Sequence, residues 1–219
     1  MNIIQSTLYL VQKEFVLEFR QKYAISGILL YVLSTVFIVY LSIVNVRLPV
    51  WSALYWIIIL FASINAVVKS FVQENSDRAL YYYTLAHPNA ILFSKIIYNF
   101  LLLLVLTFLT FGAFSLVAGQ PVKEIQLFFI TISLGSLGFA IALTFISAIA
   151  GKANNGATLM AILGFPVIIP ILITLVKLTA TALRLIQDTS NWKDITTLLA
   201  IDGIMIALAV ILFPYLWRD

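Results

Sequence analysis

The chain has 219 residues, of which 63% are hydrophobic and only 10% are charged. Soluble domains are about 45–50% apolar and about 25% charged, so this chain has too little polar surface to coat a water-soluble particle. Its 13 basic residues are scattered singly between apolar runs, which excludes a nucleic-acid-binding patch, and the absence of cysteine excludes disulfides and thiolate metal sites. We therefore predict an all-α, polytopic integral membrane protein with a single transmembrane domain over residues 1–219.

Residues 2–22 have the periodicity of an amphipathic helix. One stripe is apolar and the opposite side carries Ser6, Lys13 and Arg20; the stripe consists of Ile4, Leu8, Val11, Phe15 and Phe19. We predict that this helix lies along the inner membrane surface before the chain enters the bilayer. The charges that precede the first long apolar run argue against a cleaved signal peptide.

Six apolar runs follow, and each is long enough to cross a bilayer, for which about 20 residues suffice. The last run is interrupted only by Asp202, whose cost of about 2.5–3.5 kcal/mol the surrounding Leu, Ile, Val and Phe residues offset. The predicted spans are 23–44, 49–68, 96–118, 127–150, 155–176 and 197–217.

The distribution of basic residues predicts the orientation. Six spans place both termini on one side, and that side receives eight of the thirteen basic residues, namely Lys13, Arg20, Lys22, Lys69, Arg78, Lys95, Lys152 and Arg218. The positive-inside rule then predicts that both termini are cytoplasmic.

Residues 69–95, on the predicted inner side, form the polar segment richest in charge and aromatic residues. We interpret it as a cytoplasmic coupling loop that docks on another protein. The alternative is a solvated loop with its tyrosines at the lipid headgroups. The residues proposed for docking are Gln73, Glu74, Asp77, Arg78, Leu80, Tyr81, Tyr83 and Lys95.

Two further spans carry residues that suit helix packing and helix bending. Gly135, Ser136 and Gly138 in the fourth span are small enough to let helices approach closely. In the fifth span, Gly164, Pro166 and Pro170 predict a helix that kinks or unwinds within the membrane, as gating helices of transporters do; a structural kink without function is the alternative.

Asp202 and the segment before it leave alternatives open. Asp202 lies five residues inside the predicted span, so it either caps the first turn or snorkels to the surface, or it faces a polar pathway between helices. Residues 177–197, on the outer side, form either a short amphipathic helix or a surface loop.

The residues indicate no enzyme and no metal site. The only histidine is His87, in a polar segment, and the only acid inside a span is Asp202, so no catalytic constellation is recognisable. Gly151 and Lys152 do not form a phosphate-binding loop, because Ala153 follows and the earlier glycine is missing. We expect this chain to bind no cofactor and any ATP hydrolysis to occur in a partner.

Three windows resemble haem exporter protein B, the permease subunit of the ABC transporter in bacterial cytochrome c maturation. They are Phe71 to Lys95, Leu134 to Phe139, and Ile162 to Pro170 with its Pro-x-x-x-Pro. In the first window that family reads Asp-Gly-Ser-Leu-Glu, whereas this chain reads Asp-Arg-Ala-Leu-Tyr over residues 77–81.

The resemblance implies an ABC-2-type permease architecture, a location in the bacterial plasma (inner) membrane and a set of partners. These would be an ATP-binding subunit, a second permease copy, other membrane proteins of cytochrome c maturation and a haem chaperone. The chain would act in haem export or in ATP-driven release of the loaded chaperone, with haem as possible cargo. Two alternatives remain open, which are a permease for another cargo such as a lipid or drug, and a membrane assembly scaffold that transports nothing.

Overall fold

Seven α-helices account for nearly all of the chain that the structure describes, namely residues 3–20, 22–42, 47–71, 87–153, 156–186 and 191–218 of a computed structural model. A single 3-10 turn, Val68–Ser70, follows the third helix. The helices are α1 (Ile3–Arg20), α2 (Lys22–Ser42), α3 (Leu48–Val67), α4 (Pro88–Ala118), α5 (Ile125–Ala150), α6 (Gly156–Ala182) and α7 (Asn191–Arg218).

Five of these helices, α3 to α7, are long and apolar enough to cross a membrane, and α2 contains a shorter apolar stretch, Ser26–Leu41. No strand occurs in the described ranges. These features confirm the predicted all-α, polytopic membrane fold. Helices α2 to α7 each overlap one of the six predicted spans, and the bounds of those spans in the membrane stay a prediction.

Helix α5 forms the centre of the bundle and contacts α3, α4, α6 and α7. Its small residues allow this close packing, and an aromatic core fills the space between α3, α4 and α5. The Tyr55 hydroxyl donates a hydrogen bond to the carbonyl oxygen of Thr107 at 3.1 Å, and the Trp56 indole donates to Thr179 Oγ1 at 2.8 Å. These bonds satisfy the polar ends of buried aromatic side chains, which lipid would leave unpaired.

Helix α1 follows the predicted periodicity and lies against α4. Ile4 and Leu8 of its apolar stripe are exposed, while Thr7 and Glu14 face the bundle and Phe15 contacts the Tyr98 ring edge to face at 5.2 Å. The start of the apolar stripe is thus exposed, whereas Phe15 of the same stripe and the polar residues Thr7 and Glu14 pack on the protein.

Helix α4 begins well before the predicted span 96–118. His87 is extended at the N-cap and its Nδ1 accepts the Asn89 N–H at 3.3 Å, with Pro88 at the first helical position. Proline is common at the first helical position, because an N–H group there would have no partner within the helix. The prediction that residues 88–95 belong to a loop is therefore wrong.

The connection between α6 and α7 is also shorter than the predicted outer segment 177–197. Helix α6 continues to Ala182 and α7 begins at Asn191, so most of that segment belongs to the two long helices. Lys177 Nζ lies 2.9 Å from Asp194 Oδ1, which pairs the charges at the ends of the two helices. Within the described part of this segment, residues 177–182 and 191–197 are helical and 183–186 form a turn, so neither a separate short helix nor a loop over the whole segment is present.

Candidate functional site

A cluster of buried polar side chains lies between the residues that follow α3, directly before segment 72–86, and the second and third turns of α4. Asn99 Nδ2 donates to Ser70 Oγ at 2.9 Å and to Thr144 Oγ1 at 2.8 Å, and thus joins α4 to the 3-10 turn and to α5. Lys95, only 4% exposed, donates from Nζ to the carbonyl oxygen of Ser70. We call these residues, together with Glu14, the root cluster.

Lys95 also connects α1 to this cluster. Its ammonium lies 3.6 Å from Glu14 Oε1 and 4.7 Å from the centroid of the Phe71 ring. Lys13 lies 3.0 Å from the same carboxylate oxygen. A buried lysine is costly unless it is paired and hydrogen-bonded, and here the carboxylate, a carbonyl oxygen and an aromatic face supply those partners.

The backbone at the end of α5 also packs closely against the residues before segment 72–86. A methyl group on Gly151 would lie 3.2 Å from the carbonyl oxygen of Phe71, so the end of α5 closely approaches the last described residue before segment 72–86. Helices α1, α4 and α5 therefore all meet around Ser70 and Phe71, the last described residues before this segment.

Of the residues predicted for docking, only Lys95 lies within the described part of the chain. The structure places it on the second turn of α4, inside the root cluster, and not on a loop surface. The other predicted docking residues, namely Gln73, Glu74, Asp77, Arg78, Leu80, Tyr81 and Tyr83, lie outside the described residues.

The three small residues of α5 lie against different neighbours. A methyl group on Gly135 would meet Leu175 and Trp56 at 2.9 Å, and Ser136 Oγ lies 3.2 Å from Thr107 Oγ1. A methyl group on Gly138 would lie 2.6 Å from Asp202 Oδ1. Replacing Gly135 or Gly138 by any larger residue would thus force a neighbouring helix to move.

Asp202 lies deep between α5 and α7. Its side chain is 2% exposed, and neither carboxylate oxygen has a hydrogen-bond partner. Because α7 begins at Asn191, Asp202 is well beyond the first turn, so the interpretation as a cap or a snorkelling residue is wrong. An unpaired acid at this depth is expensive, and such residues usually serve a pathway or a relay.

Helix α6 remains continuous from Gly156 to Ala182, with Pro166 and Pro170 inside it. Of the two predicted outcomes, unwinding is wrong, because each proline removes only one N–H donor and the helix continues through both, while a kink stays a prediction. Thr174 Oγ1 donates to the carbonyl oxygen of Pro170 at 2.9 Å. Gly164 has room for a methyl group, since the nearest side-chain atom is 3.6 Å away. A gating role for these three residues stays a prediction.

Comparison with known families identifies the chain, because residues 5–216 match the model of the CcmB protein family. The chain belongs to the CcmB family. This is the family of haem exporter protein B, the membrane component of the haem exporter in cytochrome c maturation. No curated protein matches the chain.

The root cluster of this CcmB protein is a candidate site that the sequence does not predict, although Lys95 is one of the predicted docking residues. Ser70, Asn99 and Thr144 are far apart in sequence, and their only signal was Asn99, an amide within a long apolar run. The described residues contain no group of three or more His, Cys, Asp or Glu side chains that could hold a metal.

Proposed function

We propose that this CcmB protein is the membrane-spanning permease subunit of an ABC transporter and that a separate subunit hydrolyses ATP. The observation that supports this proposal is the root cluster, which connects the residues directly before segment 72–86 to three helices. In this proposal the ATP-binding subunit docks on residues 73–83. When its two copies close on ATP, the segment moves, and Ser70 and Lys95 transmit the movement to α1, α4 and α5.

A homodimer of the permease follows from the same proposal. One chain supplies one docking segment, whereas an ABC transporter has two ATP-binding sites related by a two-fold axis, so two copies of this chain match them. The remaining partners are the membrane proteins of cytochrome c maturation and the haem chaperone of that pathway. Haem is either the cargo or the group carried by the chaperone that ATP hydrolysis releases.

Cytochrome c production with a hydrolysis-dead partner tests this function. In cells whose ATP-binding subunit carries a replaced Walker A lysine, mature cytochrome c should fall to the level of cells that lack the CcmB protein. The measurement is haem-stained cytochrome c in membrane and periplasmic fractions, with the wild-type ATP-binding subunit as control. Normal cytochrome c levels would favour a scaffold and reject the transporter.

The proposed orientation places both termini in the cytoplasm and the connection before α5 in the periplasm. Because the natural chain has no cysteine, single cysteines can be labelled without background. We expect Lys123→Cys to react with a membrane-impermeant maleimide in intact spheroplasts, and Ser76→Cys to react only after the membrane is opened. The reverse pattern would invert the orientation.

A further inference from the structure

A cavity with a mixed lining opens at the end of the bundle opposite the root cluster. Its volume is about 610 Å³, and its walls come from the start of α5, the turn after α6 and the start of α7. Lys123 and Arg184 supply positive charge, while Ile130, Ile195 and Trp192 supply apolar surface. Trp192 is 77% exposed, which is unusual for so large an apolar residue in water.

Arg184 occupies a backbone position that favours glycine. Its φ of 55° is the only positive value at a non-glycine residue in the described ranges. The Arg184 N–H bonds to the Thr181 carbonyl oxygen at 2.8 Å and the Leu185 N–H to the Ala180 carbonyl oxygen at 2.9 Å, which is the Schellman arrangement that ends a helix. An arginine here costs about 1 kcal/mol relative to glycine, so its side chain must compensate.

Lys123 is held on the facing wall. Its N–H and that of Glu124 both bond to the Ala182 carbonyl oxygen, at 3.2 and 3.0 Å, so the two basic residues keep a fixed backbone separation. Glu124 Oε1 lies 3.3 Å from Arg184 Nε in an exposed ion pair, which leaves one net positive charge among the three residues. Exposed pairs of this kind add little stability, so the pair alone does not explain the arginine.

The start of α5 adds to this positive potential. Glu124 occupies the N-cap but makes no side-chain cap hydrogen bond, and residues 124–127 at the start of α5 line the cavity, so the positive end of the helix dipole lies beside it. Below the mouth, Ile130 is 45% exposed on the membrane-spanning part of α5. Positive charge therefore lies above an apolar wall that continues into the bilayer.

We propose that this cavity binds an amphiphile, with its acidic group between Lys123 and Arg184 and its apolar body against Ile130, Ile195 and Trp192. The chemistry suits the phosphate of an anionic phospholipid, because the apolar lining at Ile130 belongs to a helix long enough to cross the membrane. The proposal does not depend on the ATP-binding partner or on the docking segment.

Native mass spectrometry of the purified full chain tests this site with three probes, which are phosphatidylglycerol, phosphatidylcholine and haem. The wild type should retain phosphatidylglycerol in preference to phosphatidylcholine, and haem serves as an acidic amphiphile that is not a lipid. Arg184→Gly and Lys123→Gln should each weaken that retention about fivefold, which corresponds to the ~1 kcal/mol expected for one basic residue at a membrane surface. Glu124→Gln should strengthen it.

Lys193→Gln is the matched control, because Lys193 is an exposed lysine at the start of α7 that does not line the cavity. It should leave retention unchanged. Arg184→Gly should not lower the thermal unfolding temperature, since glycine favours this backbone conformation, so weaker binding cannot be attributed to misfolding. The acidic probe that responds to the variants identifies the source of the ligand. Equal retention of every probe by every variant would overturn the proposal.

Discussion

Replacing Lys95 by methionine is expected to abolish cytochrome c maturation and to destabilise the protein. Methionine fills a similar volume but leaves Glu14 without a buried partner and the carbonyl oxygen of Ser70 without a donor. Removing one member of a buried ion pair costs about 3–5 kcal/mol, and we expect ~3 kcal/mol because Lys13 still lies beside Glu14. Thermal unfolding in detergent and haem-stained cytochrome c measure the two effects.

The double variant Glu14→Gln, Lys95→Met separates loss of the fold from loss of function. It should regain much of the lost stability, because no unpaired charge remains, while cytochrome c maturation stays impaired, because α1 is no longer tied to α4. Lys152→Met, an exposed lysine at the same end of the bundle, is the control and should be near neutral. A double variant as unstable as Lys95→Met would show that the ion pair is not the reason for the effect.

Asp202→Ala is expected to raise stability and lower function. The two carboxylate oxygens have no hydrogen-bond partner, and a buried unsatisfied polar group costs about 1–3 kcal/mol. The unfolding temperature should therefore rise. If Asp202 serves a polar pathway, cytochrome c maturation should fall severalfold in the same variant.

Asp202→Asn keeps the size of the side chain and shows whether the carboxyl group itself is needed. Asp194→Ala is the control on the same helix, because Asp194 forms a partly exposed pair with Lys177 and should change stability by less than about 1 kcal/mol. Full cytochrome c maturation in Asp202→Ala would reject the pathway interpretation and leave Asp202 without a functional role.

Much of the fold follows from the sequence because the bilayer permits few solutions. Apolar runs of more than about 20 residues can only be helices there, and the 3.6-residue stripe from Ile4 to Phe15 indicates α1. The errors lie at helix ends. The polar residues near 88–95 favour a loop in the sequence, whereas an extended residue followed by proline, as at His87 and Pro88, is a usual helix start. Likewise, the charge of Lys177 places the end of the predicted span at residue 176. The helix nevertheless continues to Ala182, because a lysine can extend its ammonium to the membrane surface.

The root cluster was beyond sequence reasoning for a different reason. Its bonds join Ser70, Asn99 and Thr144, which come from different elements, and periodicity carries no information about which polar residues of separate helices meet. The sequence predicts too shallow a position for Asp202, because the predicted span begins at residue 197 whereas α7 begins at Asn191. Asn191 and Asp194 are typical of a helix start and could have corrected it.

Copurification of the ATP-binding subunit tests the central proposal most directly. The CcmB chain, with residues 77–83 either natural or replaced by a Gly-Ser sequence of equal length, is solubilised from membranes and captured by an affinity tag. Loss of the ATP-binding subunit from the replaced chain, at unchanged amounts and unfolding temperature of that chain, is the predicted result. Undiminished recovery of the ATP-binding subunit with the replaced chain would contradict docking on this segment.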